Sequence, residues 1–373
     1  MSGCLQSICV VAAVSLIAVA QMHGEQVPLS YAKNFTIEDF DTHKLMTVRN
    51  AWRGADRLSF RYGLVPRDSE APDLPEDVAV IPVPVERMSI LETVYLAHVQ
   101  ALDLYDCLVG MAHLDYASDK KAIEQVKNGY TKAIQPGATL DIESLLLLRS
   151  DLILTSAMGD PQFDAHPALQ RAKQPVVVTA GYMEAHPLGR AEWIKFTAAF
   201  FGKEREAATI FDRVAARYHE LEERVKGVVT RPKVLANAPF GGVWHVPGGQ
   251  SFTAKAIADA GGEYVFAEDD STGGVPKDFE SVFFSAADAD IWIHPGAARS
   301  LAELMDRDAR FAKFKAVQNR KVFNNTLRMS EVGGNDTWER GVLHPEEVLA
   351  DLIAIFHPEL LPGHQFVYYE RLR

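Results

Sequence analysis

Aromatic, cationic and histidine side chains recur just beyond the apolar, strand-like runs of this 373-residue chain. They are Arg87 and Ser89, His113 and Tyr116, Met158, Tyr182 with Met183, Trp244 and His245, Lys277, His294, and the stretch from Arg328 to Trp338. Rings cover apolar surface and guanidinium groups neutralise oxygen-rich anions, so the set suits non-covalent capture of a bulky, partly anionic guest. Each residue also has a plainer reading. Tyr116 and Tyr182 fit as surface aromatics, Trp244 as a core residue, Arg328 as one arm of a surface ion pair, and His113 and His245 as hydrogen-bonded structural histidines. Ser251, after Gly248-Gly249, fits either an anion-binding helix start or an ordinary N-cap.

Bond-making chemistry has less support. No two glycines are separated by one residue, which rules out G-x-G-x-x-G, and the phosphate-loop pattern G-x-x-x-x-G-K-[ST] is missing, as are H-E-x-x-H and G-x-S-x-G. A bare Zn²⁺ or Mn²⁺ site needs three or four converging histidines and carboxylates, and here these are dispersed. The net charge of -12, with no run of Lys and Arg, argues against nucleic acid as a partner. The expectation is a binding protein, not an enzyme, with no resident cofactor.

The elements that must position these residues are set by one long helical pattern. From Lys203 to Val225 the apolar residues Ala207, Ile210, Phe211, Val214, Ala215, Tyr218, Leu221 and Val225 recur at three- and four-residue steps, and Gly227 and Pro232 end the run. On either side lies a series of alternating strands and helices, which implies mostly parallel sheets covered on both faces. Before the helix the strands are Val78 to Val85, Leu108 to Met111, Leu152 to Thr155 and Val176 to Thr179; after it they are Lys233 to Asn237, Asp290 to His294 and Lys321 to Asn324. The fold class is therefore α/β: two lobes, 27–202 and 231–373, joined by a backbone helix at 203–227, with a ligand cleft between them. Loops at the carboxyl ends of open parallel strands face such a cleft. Residues 27–78 read as an N-terminal hairpin extension of the first lobe.

Ile8 to Ala20 is a short apolar run ending in Ala18-Val19-Ala20, the pattern of a signal peptide cleaved after Ala20. Its n-region carries no Lys or Arg. Export would remove Cys4 and Cys9 and leave Cys107, which by itself forms no internal disulfide.

Several segments, in order, resemble the class III, helical-backbone periplasmic substrate-binding proteins of ABC importers, the iron-siderophore and cobalamin type. They are Arg87-Met88-Ser89-Ile90-Leu91-Glu92 with Leu108-Val109-Gly110; Gly137 to Ile153, with Ser150 where the family usually has proline; Val234 to Gly262; Asp278 to Ile293; and His357-Pro358-Glu359-Leu360 through Tyr368-Tyr369. The resemblance runs from about Val78 to the C-terminus. It implies a periplasmic monomer that captures an iron-siderophore or related metal chelate and delivers it to a permease, with cobalamin or haem binding, or a chelatase-like enzyme, as alternatives. The ligand-binding residues it points to are Arg87, Tyr116, Tyr182, Trp244, His245, Arg328 and Trp338. It also implies permease docking through one acid on each lobe. Glu280 stands at the second-lobe position; on the first lobe the usual Glu is not evident, and Asp164 and Asp160 are the nearest acids.

Overall fold

A computed structural model describes residues 24–135 and 139–373. The expected signal segment, 1–20, lies outside the described residues, and so does Gly137. The long helix spans Glu204–Val225, 22 residues or about 33 Å at 1.5 Å per residue. Glu204 and Glu206 sit in its first turn and Arg224 in its last, each charge opposing the nearby end of the helix dipole. Six of the eight stripe residues are buried, while Ile210 and Ala215 are partly buried against the same core. The helix packs against both Trp193–Ala199 and Pro345–Phe356.

Before the long helix a five-stranded parallel sheet has the order β10-β9-β6-β7-β8, with β6 Met88–Ile90, β7 Leu108–Met111, β8 Lys132–Ala133, β9 Leu152–Ser156 and β10 Val176–Thr179. After it a second sheet has the order β14-β11-β16-β17-β18, formed by β11 Lys233–Ala236, β14 Glu263–Tyr264, β16 Ile291–Ile293, β17 Val322–Asn324 and β18 Glu370–Arg371; only the edge strand β18 is antiparallel. The chain is thus an α/β protein of two mostly parallel sheets bridged by one helix. Its largest core follows that helix, taking in Leu96, Val178 and Phe196 from the first half and Ile257, Ile293 and Leu349 from the second. The second half keeps a further core around Trp244, Trp292, Phe311 and Phe314.

Two expectations are corrected. The lead-in is not a hairpin but a five-stranded sheet of its own, β1-β2-β3-β4-β5, formed by Glu25–Gln26, Phe35–Asp39, Lys44–Arg49, Ser59–Pro66 and Val78–Val83. The run expected to open the first lobe is β5, which pairs only with β4; Pro82 and Pro84 lack the N–H a second ladder would need, and proline is confined to such edges. The lobe's true first strand is Met88–Ile90, three fully buried residues, too few to show any period. Two buried carboxylates tie the added sheet down: Glu192 accepts N–H groups from Ser30, Tyr31 and Ala32, and Glu184 those of Lys33 and Asn34.

A small antiparallel sheet, β12-β13-β15 (Pro239–Phe240, Val243–Pro247 and Gly274–Lys277), follows β11 and had no counterpart in the expected pattern. Arg53, in the loop between β3 and β4, reaches it and donates to the Gly274 carbonyl at 3.3 Å.

Candidate functional site

The carboxyl ends of β6 and β7 deliver Glu92, Thr93, His113 and Tyr116 to one wall of a pocket whose other wall is Gly333, Asn335 and Trp338 from the second half; its volume is about 310 Å³. His113 has a left-handed backbone (φ 53°), sharply turning the chain after β7, and its ring lies 5.7 Å from that of Tyr116. Tyr116 is 61% and Trp338 42% exposed, and the two rings stand on opposite walls of the same pocket. Both are therefore free to lie against a guest.

Glu92 gives this pocket its one ionisable carboxyl. Its Oε1 accepts from Ser156 N–H at 2.8 Å, Ser156 Oγ at 3.1 Å and Thr155 Oγ1 at 3.3 Å, whereas Oε2 is shut off from solvent and has no partner. Burial pushes the carboxyl up to about 7, against the hydrogen bonds that favour its charge.

The two halves touch beside the pocket. Ser330 Oγ donates to the Ala117 carbonyl at 2.6 Å, Ser118 Oγ to Asp336 at 2.9 Å, and Ser118 N–H to Glu339 at 2.9 Å. Gly334 is pressed so closely onto the opposing loop that a Cβ would sit 2.1 Å from the Ala117 carbonyl oxygen. A second, more polar depression of about 630 Å³ adjoins this bridge, lined by Ala97, Gln100, Asp119, Arg328, Asp336 and Glu339 among others. Burial raises the Glu339 carboxyl to about 7 as well, with Asp119 and Asp336 adding to the shift.

The expected residues separate into three groups. Tyr116, Trp338 and His113 meet in the smaller pocket, and Arg328 borders the larger depression, where its Nε is paired with Asp336 at 2.6 Å. Tyr182 stands past the end of β10 but donates its hydroxyl to the Ala157 carbonyl at 2.8 Å; His245 is exposed on β13, and Met158 is exposed after β9. Lys277, the last residue of β15, places its Nζ 5.2 Å from the Phe266 ring centroid.

Two assignments fail. Arg87 lies at the amino end of β6, the end away from the cleft, where its guanidinium donates twice to the Leu148 carbonyl. Trp244 is fully buried among Trp292, Phe311 and Phe314, and its indole donates to Ala236. Ser89 is likewise committed, through a 2.8 Å bond to Ser150 Oγ, which gives the serine at that departure from the family pattern a structural role. Ser251 caps its helix by accepting from Ala254 N–H, and the Gly248 amide is taken by the Gly273 carbonyl.

Glu280 is exposed in the first turn of its helix and ion-paired with Arg310 at 3.1 Å. Asp164 spends both carboxylate oxygens on the N–H groups of Met158 and Gly159.

The family model described as Periplasmic binding protein matches residues 89–326, more than half of the chain, and so spans the pocket's first wall, the long helix and most of the second lobe. The chain belongs to the periplasmic binding protein family. It is of the class III, helical-backbone type, a substrate-binding protein rather than an enzyme. Two uncharacterized lipoproteins of Methanocaldococcus jannaschii are similar to this binding protein over most of their length: one is 27% identical over 360 residues, covering 90% of this chain and 83% of its own, and the other 26% over 342 residues, covering 86% and 82%. Among solved structures, the periplasmic heme binding protein of Pseudomonas aeruginosa has a TM-score of 0.56 at 19% identity, over 74% of this chain and 93% of its own. Helicobacter pylori CeuE with Ni(II) bound has a TM-score of 0.59 at 17% identity, over 76% and 88%. At these identities the structural likeness carries the fold. Among the described residues of the binding protein, no helix is long and apolar enough to cross a membrane.

Proposed function

We propose that this protein is the exported binding component of an ABC importer, and that it holds an iron-siderophore or related metal chelate between its lobes for delivery to the permease. The observation that carries this reading is the convergence of exposed Tyr116 and Trp338 from opposite halves on one pocket that also holds Glu92. Rings on both walls suit a flat or bulky organic shell. Among the described residues, the one grouping of three potential metal ligands is His344, Glu346 and Glu347, where Glu347 is already ion-paired with Arg340. That favours a metal arriving with its own donors over a bare ion in the cleft. The heme of one structural neighbour is a metal chelate of this kind. Haem is the second reading, favoured by the neighbouring Tyr116 and His113 as potential axial ligands.

Titration of the purified protein with a ferric hydroxamate, a ferric catecholate, haem and cobalamin, followed by tryptophan quenching, tests the reading. One chelate should quench saturably, and Tyr116→Ala and Trp338→Ala should each weaken it at least tenfold. Silence towards all four, or unchanged affinity in both variants, rejects the cleft. For docking, charge reversal of Glu280 together with Asp164 should weaken permease binding most at low salt, and unchanged transport rejects those two contacts.

A further inference from the structure

The turn Asp336–Trp338, with Asn335 before it and Glu339 after it, serves two places at once. Asn335 and Trp338 line the cleft pocket, while Asp336 and Glu339 line the neighbouring depression. The facing loop of the first half divides in the same way: His113 and Tyr116 reach the pocket, and Ser118 and Asp119 the depression. Whatever holds these two loops together therefore also fixes the pocket's walls relative to each other.

Three buried carboxylates meet at this bridge. Asp119 comes from the first half, where it caps the helix Lys120–Lys127 and accepts from the Tyr105 hydroxyl at 2.7 Å. Asp336 and Glu339 come from the second half and reach across to Ser118, Asp336 accepting from its Oγ and Glu339 from its N–H, each at 2.9 Å. The cations around them are engaged elsewhere or stand in solvent. Arg328 pairs with Asp336, Arg340 is held by Glu347 and Tyr368, Lys121 lies over the Tyr105 ring, and Lys120 is exposed at the depression's rim. Among the described residues no cation pairs with Glu339, which is 2% exposed. Burial raises its carboxyl from 4.5 to about 7, outweighing the Ser118 bonds that favour the charge, and Asp119 and Asp336 add to the rise. Parting the loops would take Ser118, Asp119 and Tyr105 away from Glu339 and let water reach it.

We propose that Glu339 is a positioning residue of the binding site: as a neutral acid accepting from Ser118 it holds the wall carrying Trp338 against the loop carrying Tyr116, and as a carboxylate it lets them part. Because the carboxyl is raised while the loops are joined, its hold is complete below 4.5 and is lost as pH rises through 7. The consequence for a guest rests on the function proposed above; the bridge itself does not.

Deuterium exchange of the segment 113–119 in the full chain, read by mass spectrometry, tests this without a guest. Parent, Glu339→Gln and Glu339→Ala are compared with one another at pH 4 and at pH 8.5, so that the intrinsic exchange rate cancels at each pH. Gln keeps an oxygen to accept from Ser118 but cannot ionise. It should match the parent at pH 4, whereas at pH 8.5 the parent should exchange roughly ten- to hundred-fold faster, the full displacement discounted for residual water at the site. Glu339→Ala removes the acceptor and should exchange faster than the parent at pH 4, while β9 stays protected in all three and shows them folded. A parent-to-Gln ratio that is equal at the two pH values, or an Ala variant as protected as the parent in acid, would overturn the proposal. Tryptophan quenching by the ferric hydroxamate should follow the same profile, weakening from acid to base in the parent and not in Glu339→Gln; equal weakening in both breaks the link from bridge to pocket. A chain that shows the exchange gap but is quenched by none of the four guests keeps the bridge and loses the proposed function.

Discussion

Replacing Glu92 by Gln should make the protein's stability markedly less sensitive to pH. In the folded state the Glu92 carboxyl titrates near 7, and in the unfolded chain near 4.5. Between those values the folded protein holds a proton that the unfolded chain has lost, so this residue's contribution is fully present below the unfolded pKa and is lost as pH rises through 7. The whole displacement corresponds to about 3 kcal/mol, and partial solvent screening reduces it to roughly 1.5–3 kcal/mol. Gln keeps the carbonyl that accepts from Ser156 and leaves its amide where Oε2 already lacks a partner. It therefore imitates the protonated acid. Urea unfolding at pH 4 and pH 8.5 should show the variant matching its parent in acid and exceeding it by that margin in base, with equal m values. His98, His186 and His294, all lowered to about 4 by burial, tilt stability the opposite way, but they are common to both proteins and cancel in the difference. A stability difference that is flat across pH, or larger in acid, would refute a buried, half-protonated Glu92.

Other substitutions separate binding from support. Gly334→Ala places a methyl 2.1 Å from the Ala117 carbonyl oxygen, so the bridge between the halves must part; small-angle scattering should show a larger radius and ligand affinity should drop, and an unchanged radius would contradict the bridge. Trp244→Ala should cost about 3–5 kcal/mol in urea unfolding while leaving the affinity of the folded protein intact. Trp338→Ala should do the reverse, with stability within about 1 kcal/mol of the parent and affinity lost. Arg87→Ala removes two hydrogen bonds to Leu148 and should cost about 1 kcal/mol of stability with no change in ligand titration; weakened binding would return Arg87 to the cleft.

Those contrasts follow from what a one-dimensional pattern can carry. The long helix was legible because its stripe repeats over 22 residues and its packing obeys the same period. The strands β7, β9, β10, β11, β16 and β17 were legible as short apolar runs between helices. Met88–Ile90 was not, since three buried residues have no alternation, and the proline-bearing run before it drew the strand assignment away. Trp244 and His245 are adjacent, yet the pleat sends one into the Trp292 cluster and the other to solvent, a choice fixed by pairing with Lys277 and Pro276 on β15. Residue type alone could not decide it.

Glu92 stood inside the segment that carried the family resemblance, but nothing in its surroundings there marks it as a pocket residue. Its altered protonation comes from burial, against the hydrogen bonds that Ser156 and Thr155 bring from the end of another strand. Gly334 is the stronger case. Its backbone is not left-handed, so its own conformation does not call for glycine; what excludes a side chain is the backbone of Tyr116 and Ala117 arriving from the opposite lobe. The same close approach brings Tyr116 and Trp338 to facing walls of one pocket. A residue that lets two halves of a binding protein touch therefore also sets the width of the space where a guest is held, and substitutions there should change closure and affinity together.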